Sequence, residues 1–194
     1  MSKILILGGT GFLGSALYRH IRWESPEDEA CIASRRTGVN IQNYWQIEDM
    51  CAKADLVVNC AAQTHVDFSL HTELTDQRQF LMTNTVGALN VIHACRKGQT
   101  KLIHISTSEV YGTLRERPMS EEHPILPQAG VYSSSKAGGD LTARVAYLTE
   151  KDNIVILRPF NFWGPGQSIE KLIPRFIYQY LEGKPLTIYG EGKQ

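Results

Sequence analysis

The sequence predicts an α/β fold, a doubly wound parallel β-sheet with helices on both faces. Three observations predict it. Short apolar runs alternate with helix-like segments from the start of the chain. The runs are rich in Ile, Val and Leu without polar alternation, as strands buried on both faces must be. A glycine-rich turn joins the first run directly to the first helix-like segment.

The candidate strands are residues 3–7, 30–33, 55–60, 102–106 and 154–157. Between them, residues 13–21, 80–95, 132–147 and 172–181 carry apolar side chains at three- and four-residue spacing, the pattern of a crossover helix with one buried face. No internal repeat, low-complexity tract or composition shift marks a linker. Pro and Gly cluster at 117–130 and 159–167, after strands. In an open parallel sheet, that edge is where ligands bind.

Composition excludes several classes. With 194 residues, 42% hydrophobic and 21% charged, the chain reads as an ordinary soluble globular protein. A chain of this size buries about 70% of the surface its unfolded form exposes, so neither metal nor disulfide is needed for a core. Twenty basic side chains balance 20 acidic ones, which leaves no basic field to collect nucleic acid. The longest apolar run, residues 4–7, is far shorter than the roughly 18 residues of a membrane helix. Lys3 leads into it without a separate leader, so a cytoplasmic protein is expected. Cys31, Cys51, Cys60 and Cys95 form no close pair and have no His at metal spacing. They read as reduced, buried apolar side chains, and no metal site is expected. His20, His71, His93, His104 and His123 occur singly and read as background.

Gly8-Gly9-Thr10-Gly11-Phe12-Leu13-Gly14 lies between the first strand and the first helix. Glycines at 8, 11 and 14 permit a tight turn, a close approach of backbone amides to a pyrophosphate, and close helix-strand packing. In that context the motif predicts a Rossmann-type dinucleotide site, against the alternative of a ligand-free glycine turn. After the second strand, NAD enzymes place a carboxylate on the ribose hydroxyls, but here the chain reads Ala33-Ser34-Arg35-Arg36. A hydroxyl and two guanidiniums suit the 2′-phosphate of NADP, with NAD the alternative.

The fourth strand runs into Ser106-Thr107-Ser108-Glu109-Val110-Tyr111-Gly112, and Tyr132-Ser133-Ser134-Ser135-Lys136 opens a later helix. Positions 132 and 136 are one helical turn apart, so the Lys136 ammonium is expected beside the Tyr132 phenol. A free phenol titrates near about 10, and lowering that by about 3 units takes about 4 kcal/mol of differential stabilisation. Lys136 and a bound cationic nicotinamide are expected to share it, making Tyr132 a proton acceptor near neutral pH.

The glycine loop, the Tyr-x-x-x-Lys pair and the 106–112 strand end together resemble the extended short-chain dehydrogenase/reductase family, in its nucleotide-sugar epimerase and dehydratase branch. Further matches are the 59–67 run, Thr83-Asn84, the 158–165 run and Glu170-Lys171-Leu172-Ile173-Pro174, the last resembling sugar-nucleotide 4,6-dehydratases. The resemblance implies that Phe12, Leu13, Ala61, Ala62, Gln63, Thr83 and Phe162 line the cofactor. It also implies that His65, Asn161 and Lys171 meet the substrate. It divides the chain into an NAD(P)-binding domain, 1–160, and the start of a substrate lobe, 161–194. That lobe is largely absent from this chain, so nucleotide binding with little or no turnover is expected of residues 1–194. A homodimer pairing through segments 80–95 and 132–147 is also implied.

By the same resemblance, Tyr132 takes the hydroxyl proton at sugar carbon 4 while hydride passes to nicotinamide, with Thr107 on the carbon 4 oxygen. Lys136 holds Tyr132 and the nicotinamide ribose. Glu109 then removes the carbon 5 proton, water leaves carbon 6, and the hydride returns there. Many 4,6-dehydratases carry Asp where Ser108 stands, and a hydroxyl does not supply that proton with comparable ease. Either Glu109 returns it, or the reaction is UDP-glucuronate decarboxylation or 4-epimerisation. A non-catalytic NADP sensor is the alternative of another class.

Overall fold

The computed structural model describes residues 1–64, 73–113, 118–128 and 130–188. Five strands, β1 (Lys3–Leu7), β2 (Glu29–Ala33), β3 (Leu56–Asn59), β4 (Lys101–Ile105) and β5 (Ile154–Leu157), form one parallel sheet in the order β2-β1-β3-β4-β5. The helices are α1 (Phe12–Glu24), α2 (Tyr44–Ala52), α3 (Leu74–Leu81), α4 (Gly87–Gly98), α5 (Gly130–Val145) and α6 (Leu172–Leu181). The chain forms two compact units, Met1–Phe160 and Asn161–Gln194.

Within the first unit, strand alternation divides the core. Ile4, Ile6 and Val58 face Leu17, Tyr18 and Ile21 of α1. Leu5, Leu7, Val57 and Leu102 face the other way and pack with Ile47 and Cys51 of α2, Val91, Ile92 and Cys95 of α4, and Ala143 of α5. Both faces of the inner strands β1, β3 and β4 are covered, and their polar residues are few: Lys3 and Lys101 at the strand starts, with Asn59 and His104. Since β1 is followed by β2 on one side and β3 on the other, the sheet order reverses at the C-terminal end of β1. The glycine turn stands at that point.

The expected helix at 80–95 is two helices, α3 and α4, joined by a π turn at Met82–Val86 that holds buried Thr83 and Asn84. Helix α5 likewise ends in a π turn, Ala146–Glu150. Helix α2 was not anticipated. Its apolar stripe is short, and it is fixed by an Asn43 cap that accepts from Trp45 N and by packing against α4.

His104, read from the sequence as background, is buried on β4 with its Nδ1 3.4 Å from Asn59 Nδ2. Burial, with Lys136 nearby, pushes its pKa down to about 3. The unfolded imidazole takes its proton near 6.5, so the unfolded chain binds more protons between these values. Stability therefore falls as pH drops through that window. Urea unfolding is expected to show roughly 3 kcal/mol lost from this group between pH 7 and 4, and the loss to shrink in His104→Gln; an equal loss in the variant refutes the assignment.

Candidate active site

The turn after β1 is built by its glycines. Gly8 has a φ of +76°, and a Cβ on it would lie 2.6 Å from Ala61 N. A Cβ on Gly14 would lie 2.5 Å from Gly8 O. Gly14 thus seats α1 against the turn and does not line the cleft. Gly11 caps α1 without a side-chain acceptor, which leaves the helix N-terminus available to an anion. The glycine approach and this uncapped helix end fit a dinucleotide pyrophosphate.

A cleft of about 220 Å³ opens at this point and brings together Gly8, Gly11, Ser34, Arg35, Arg36, Ala61, Ala62 and Thr83. Thr10, Val39, Asn40, Ile41 and Cys60 also line it and were not anticipated. Thr10 Oγ1 donates to Ser34 Oγ at 2.9 Å, joining the glycine turn to the end of β2. Ser34 N donates to Thr37 Oγ1 at 2.9 Å, and Arg35–Thr37 coils as a short 3-10 turn. That turn sets both guanidiniums at the cleft. Among the described residues lining it there is no carboxylate. Phe12, Leu13 and Gln63 are not in the lining, although Gln63 Oε1 accepts from Arg35 Nη2 at 3.4 Å.

The polar end of the site lies beyond β4. Buried Thr107 caps a 3-10 turn, Ser108–Tyr111, by accepting from Glu109 N at 3.2 Å. Ser108 N donates to Pro159 O at 3.0 Å, which ties the turn to the end of β5. Across from it, Tyr132 and Lys136 lie on one face of α5, 8% and 4% exposed. Tyr132 is hydrogen-bonded to Thr107, so the structure joins Thr107, Glu109 and Tyr132 in one site.

The electrostatics correct one expectation. Burial raises the Tyr132 phenol above its usual value, the Thr107 hydrogen bond lowers it, and Glu109 raises it. The net effect is upward. Lys136 Nζ donates instead to Ile105 O at 2.5 Å, at the end of β4. Burial lowers its pKa to about 8, against the upward pull of Asp140. A carbonyl takes the ammonium because β4 ends there with an acceptor pointed at α5, while the phenol turns to Thr107.

Two sets of residues were missed as site residues by sequence reasoning. Asn84 Oδ1 accepts from Gln63 N at 2.9 Å, and Asn84 Nδ2 donates to Gln63 O at 3.0 Å and to Ser135 Oγ at 2.9 Å. One amide thereby pins the segment after β3 to α5. Asp140, fully buried, receives Arg158 Nε and Nη2 at 2.8 Å each. Arg158 Nη1 also donates to Tyr111 Oη at 3.0 Å and Glu121 O at 3.3 Å. Asn84 and Arg158 fall within runs already matched to the family, but only the contacts reveal what they hold.

His65 lies outside the described residues. Asn161, Phe162 and Lys171 belong to the second unit, where Phe162 O accepts from Gln167 Nε2 at 3.1 Å and Lys171 caps α6. Among the described residues no cluster of His, Cys, Asp or Glu has the arrangement of a metal site, and no helix is long and apolar enough to cross a membrane.

A dTDP-glucose 4,6-dehydratase of Streptomyces niveus is 32% identical over 98% of this chain and 62% of its own length. The crystal structure of a dTDP-glucose 4,6-dehydratase from Bacillus anthracis in complex with NAD superposes with a TM-score of 0.86 at 29% identity, covering 99% of this chain and 65% of that one. A UDP-glucuronic acid 4-epimerase from Bacillus cereus in complex with NAD gives 0.81 at 28% identity, covering 99% and 67%. The chain spans a little under two thirds of the length of the two dehydratases. Residues 4–194 match the model of one family over nearly the whole chain, and with the glycine turn and the Tyr132-Lys136 helix in place, the protein belongs to the NAD dependent epimerase/dehydratase family.

Proposed function

We propose that this protein dehydrates a nucleoside-diphosphate sugar to its 4-keto-6-deoxy form through transient oxidation at carbon 4. The observation that carries the reading is Glu109 on the same short turn as Thr107, beside the Tyr132 phenol. A bound nicotinamide supplies the hydride acceptor and later the donor. Tyr132 accepts the carbon 4 hydroxyl proton, with Thr107 hydrogen-bonded to the same oxygen. Burial alone holds that phenol protonated, so the positive charge that lowers its pKa comes from Lys136 and from the oxidised cofactor. With a nicotinamide cofactor bound, Lys136 would hold its ribose and the Tyr132 phenol in place of the Ile105 carbonyl. Glu109 removes the carbon 5 proton, made acidic by the 4-keto group, and delivers it to the hydroxyl leaving carbon 6 as water. Tyr132 releases its proton to solvent, and a solvent proton taken up through Glu109 reaches carbon 5 when hydride returns to carbon 6. Ser108 orients the departing hydroxyl and transfers no proton.

The preferred cofactor is NADP, with NAD second. Ser34, Arg35 and Arg36 offer three donor side chains to a 2′-phosphate. Residues 1–160 serve as the cofactor domain and 161–194 begin a substrate lobe. Phe12, Leu13, Gln63 and Phe162 complete the cofactor contacts, and His65, Asn161 and Lys171 meet the sugar nucleotide. Outward-facing Leu81, Leu89, Leu141 and Val145 on α3, α4 and α5 support a homodimer through these helices. Four unpaired cysteines suit the reducing cytoplasm. Ser108 and the likeness to a UDP-glucuronic acid 4-epimerase favour one second reading, epimerisation or decarboxylation on the same Tyr132 and Lys136 chemistry.

Mass spectrometry of products formed by the longest expressible form of the protein from UDP-N-acetylglucosamine, dTDP-glucose, GDP-mannose and UDP-glucuronate, each with NADP or NAD, decides between these. Loss of one water without net cofactor reduction is expected. Loss of carbon dioxide, or a stereoisomer of unchanged mass, moves the assignment to the second reading. Glu109→Gln is expected to slow water loss about 100-fold or more while cofactor binding persists; undiminished dehydration refutes its role. Replacing Arg35 and Arg36 with Ala should weaken NADPH about 10-fold or more by fluorescence titration and NADH little, whereas equal losses refute the preference. Light scattering should report a dimer that Leu141→Glu with Val145→Glu converts to a monomer; a wild-type monomer refutes the interface.

A further inference from the structure

Lys136 is a buried cation whose one hydrogen bond among those described goes to a neutral carbonyl, Ile105 O. A buried ammonium without an anion loses its proton, because burial penalises the charged form and a carbonyl offers no compensating charge. Position 140 is one turn further along the same face of α5, and its carboxylate is 0% exposed. That carboxylate is itself held: both oxygens take hydrogen bonds from Arg158, whose remaining donors go to Tyr111 Oη and Glu121 O. Tyr111 closes the 3-10 turn that carries Thr107, Ser108 and Glu109. One ion pair therefore links the helix bearing Tyr132 and Lys136 to the turn bearing Glu109.

We propose that Asp140, fixed by Arg158, is a positioning residue that supplies the counter-charge keeping Lys136 an ammonium at the end of β4. The inference rests on the reading of Tyr132 and Lys136 as the proton-handling pair. The other groups facing Lys136 do not provide the charge. His104, from β4, is neutral at any pH where the protein is folded near neutrality. Cys60, after β3, is a thiol pushed up to about 11 by burial. Tyr132, from α5 itself, is a protonated phenol, and Glu109 acts on Tyr132 from the neighbouring turn. Asp140 is the anion that pulls the Lys136 pKa upward against burial, and Arg158 keeps Asp140 ionised against its own burial. A purely architectural ion pair would join the same elements but leave the titration of Lys136 unchanged.

The test reads that titration directly in the 194-residue protein. Lysine labelled with 13C and 15N is titrated by NMR, and the Lys136 signal is assigned by its loss in Lys136→Met. The wild-type midpoint is expected near pH 8. Asp140→Asn should lower it by about one pH unit or more, and Arg158→Gln, which removes the charge that keeps Asp140 ionised, should lower it as well. The double variant with both changes removes the Asp140–Arg158 pair whole and strands neither of its two charges, so it remains folded where either single change does not, and its midpoint should also fall. A midpoint unchanged in Asp140→Asn or in the double variant, or raised by Arg158→Gln, overturns the proposal. Because turnover is not the readout, failure to transform any sugar nucleotide refutes the proposed reaction without altering this result. Conversely, an unmoved midpoint refutes the role of Asp140 while the reaction stands.

Discussion

The approach of the backbone at Gly8 to the backbone at Ala61 is the constraint on which the site depends. A Cβ at 2.6 Å from Ala61 N is impossible without moving one of the two segments, and φ of +76° is already a conformation that other residues adopt at a cost. Because the two segments touch, the turn after β1 and the segment after β3 form one rim of the cleft. The hydrogen bond from Thr10 to Ser34 closes the adjoining side. Three strand ends thereby converge where the sheet order reverses, and the N-terminus of α1 faces the space between them.

The end of the cleft at Thr107, Tyr132 and Lys136 is held by polar contacts rather than by close backbone approach. Asn84 satisfies both backbone groups of Gln63 and reaches Ser135, whose Oγ donates to Tyr132 O at 2.8 Å. Arg158 joins α5 to the Tyr111 turn and the 118–128 segment. A buried ion pair is costly to desolvate and poorly replaced by either partner alone, so it contributes definition of geometry more than net stability. For the proposed proton transfer between the Tyr132 phenol and a substrate oxygen, a displacement of about 1 Å is enough to cost about 100-fold in rate.

Burial and charge oppose one another throughout this layer. Burial raises Tyr132, lowers Lys136 and lowers His104. Each shift favours the neutral form, and at Lys136 the carboxylate of Asp140 pulls the other way. Asp140 and Arg158 are the exception, an ionised pair whose two charges stabilise one another. A charged ammonium at Lys136 is thus conditional on its neighbours, which makes it sensitive to what binds.

By itself the sequence determined the parallel α/β class, all five strands to within one or two residues and the glycine turn, and it singled out Thr107, Glu109, Tyr132 and Lys136 as candidates. These were legible because strand burial, helix periodicity and turn chemistry are local: Ile4 and Leu5 specify opposite faces of a strand whatever lies around them. Tertiary structure alone decided that α3 and α4 are separated by a π turn, that Arg35 and Arg36 meet Ala61 across the cleft, and that Lys136 turns to Ile105. It also decided that Asp140 meets Arg158, 18 positions away. Such pairings depend on which strand ends the sheet order brings together, and charge partners distant in sequence leave no periodic trace in it. The direction of each pKa follows for the same reason, since burial is a property of the packed molecule and not of the residue.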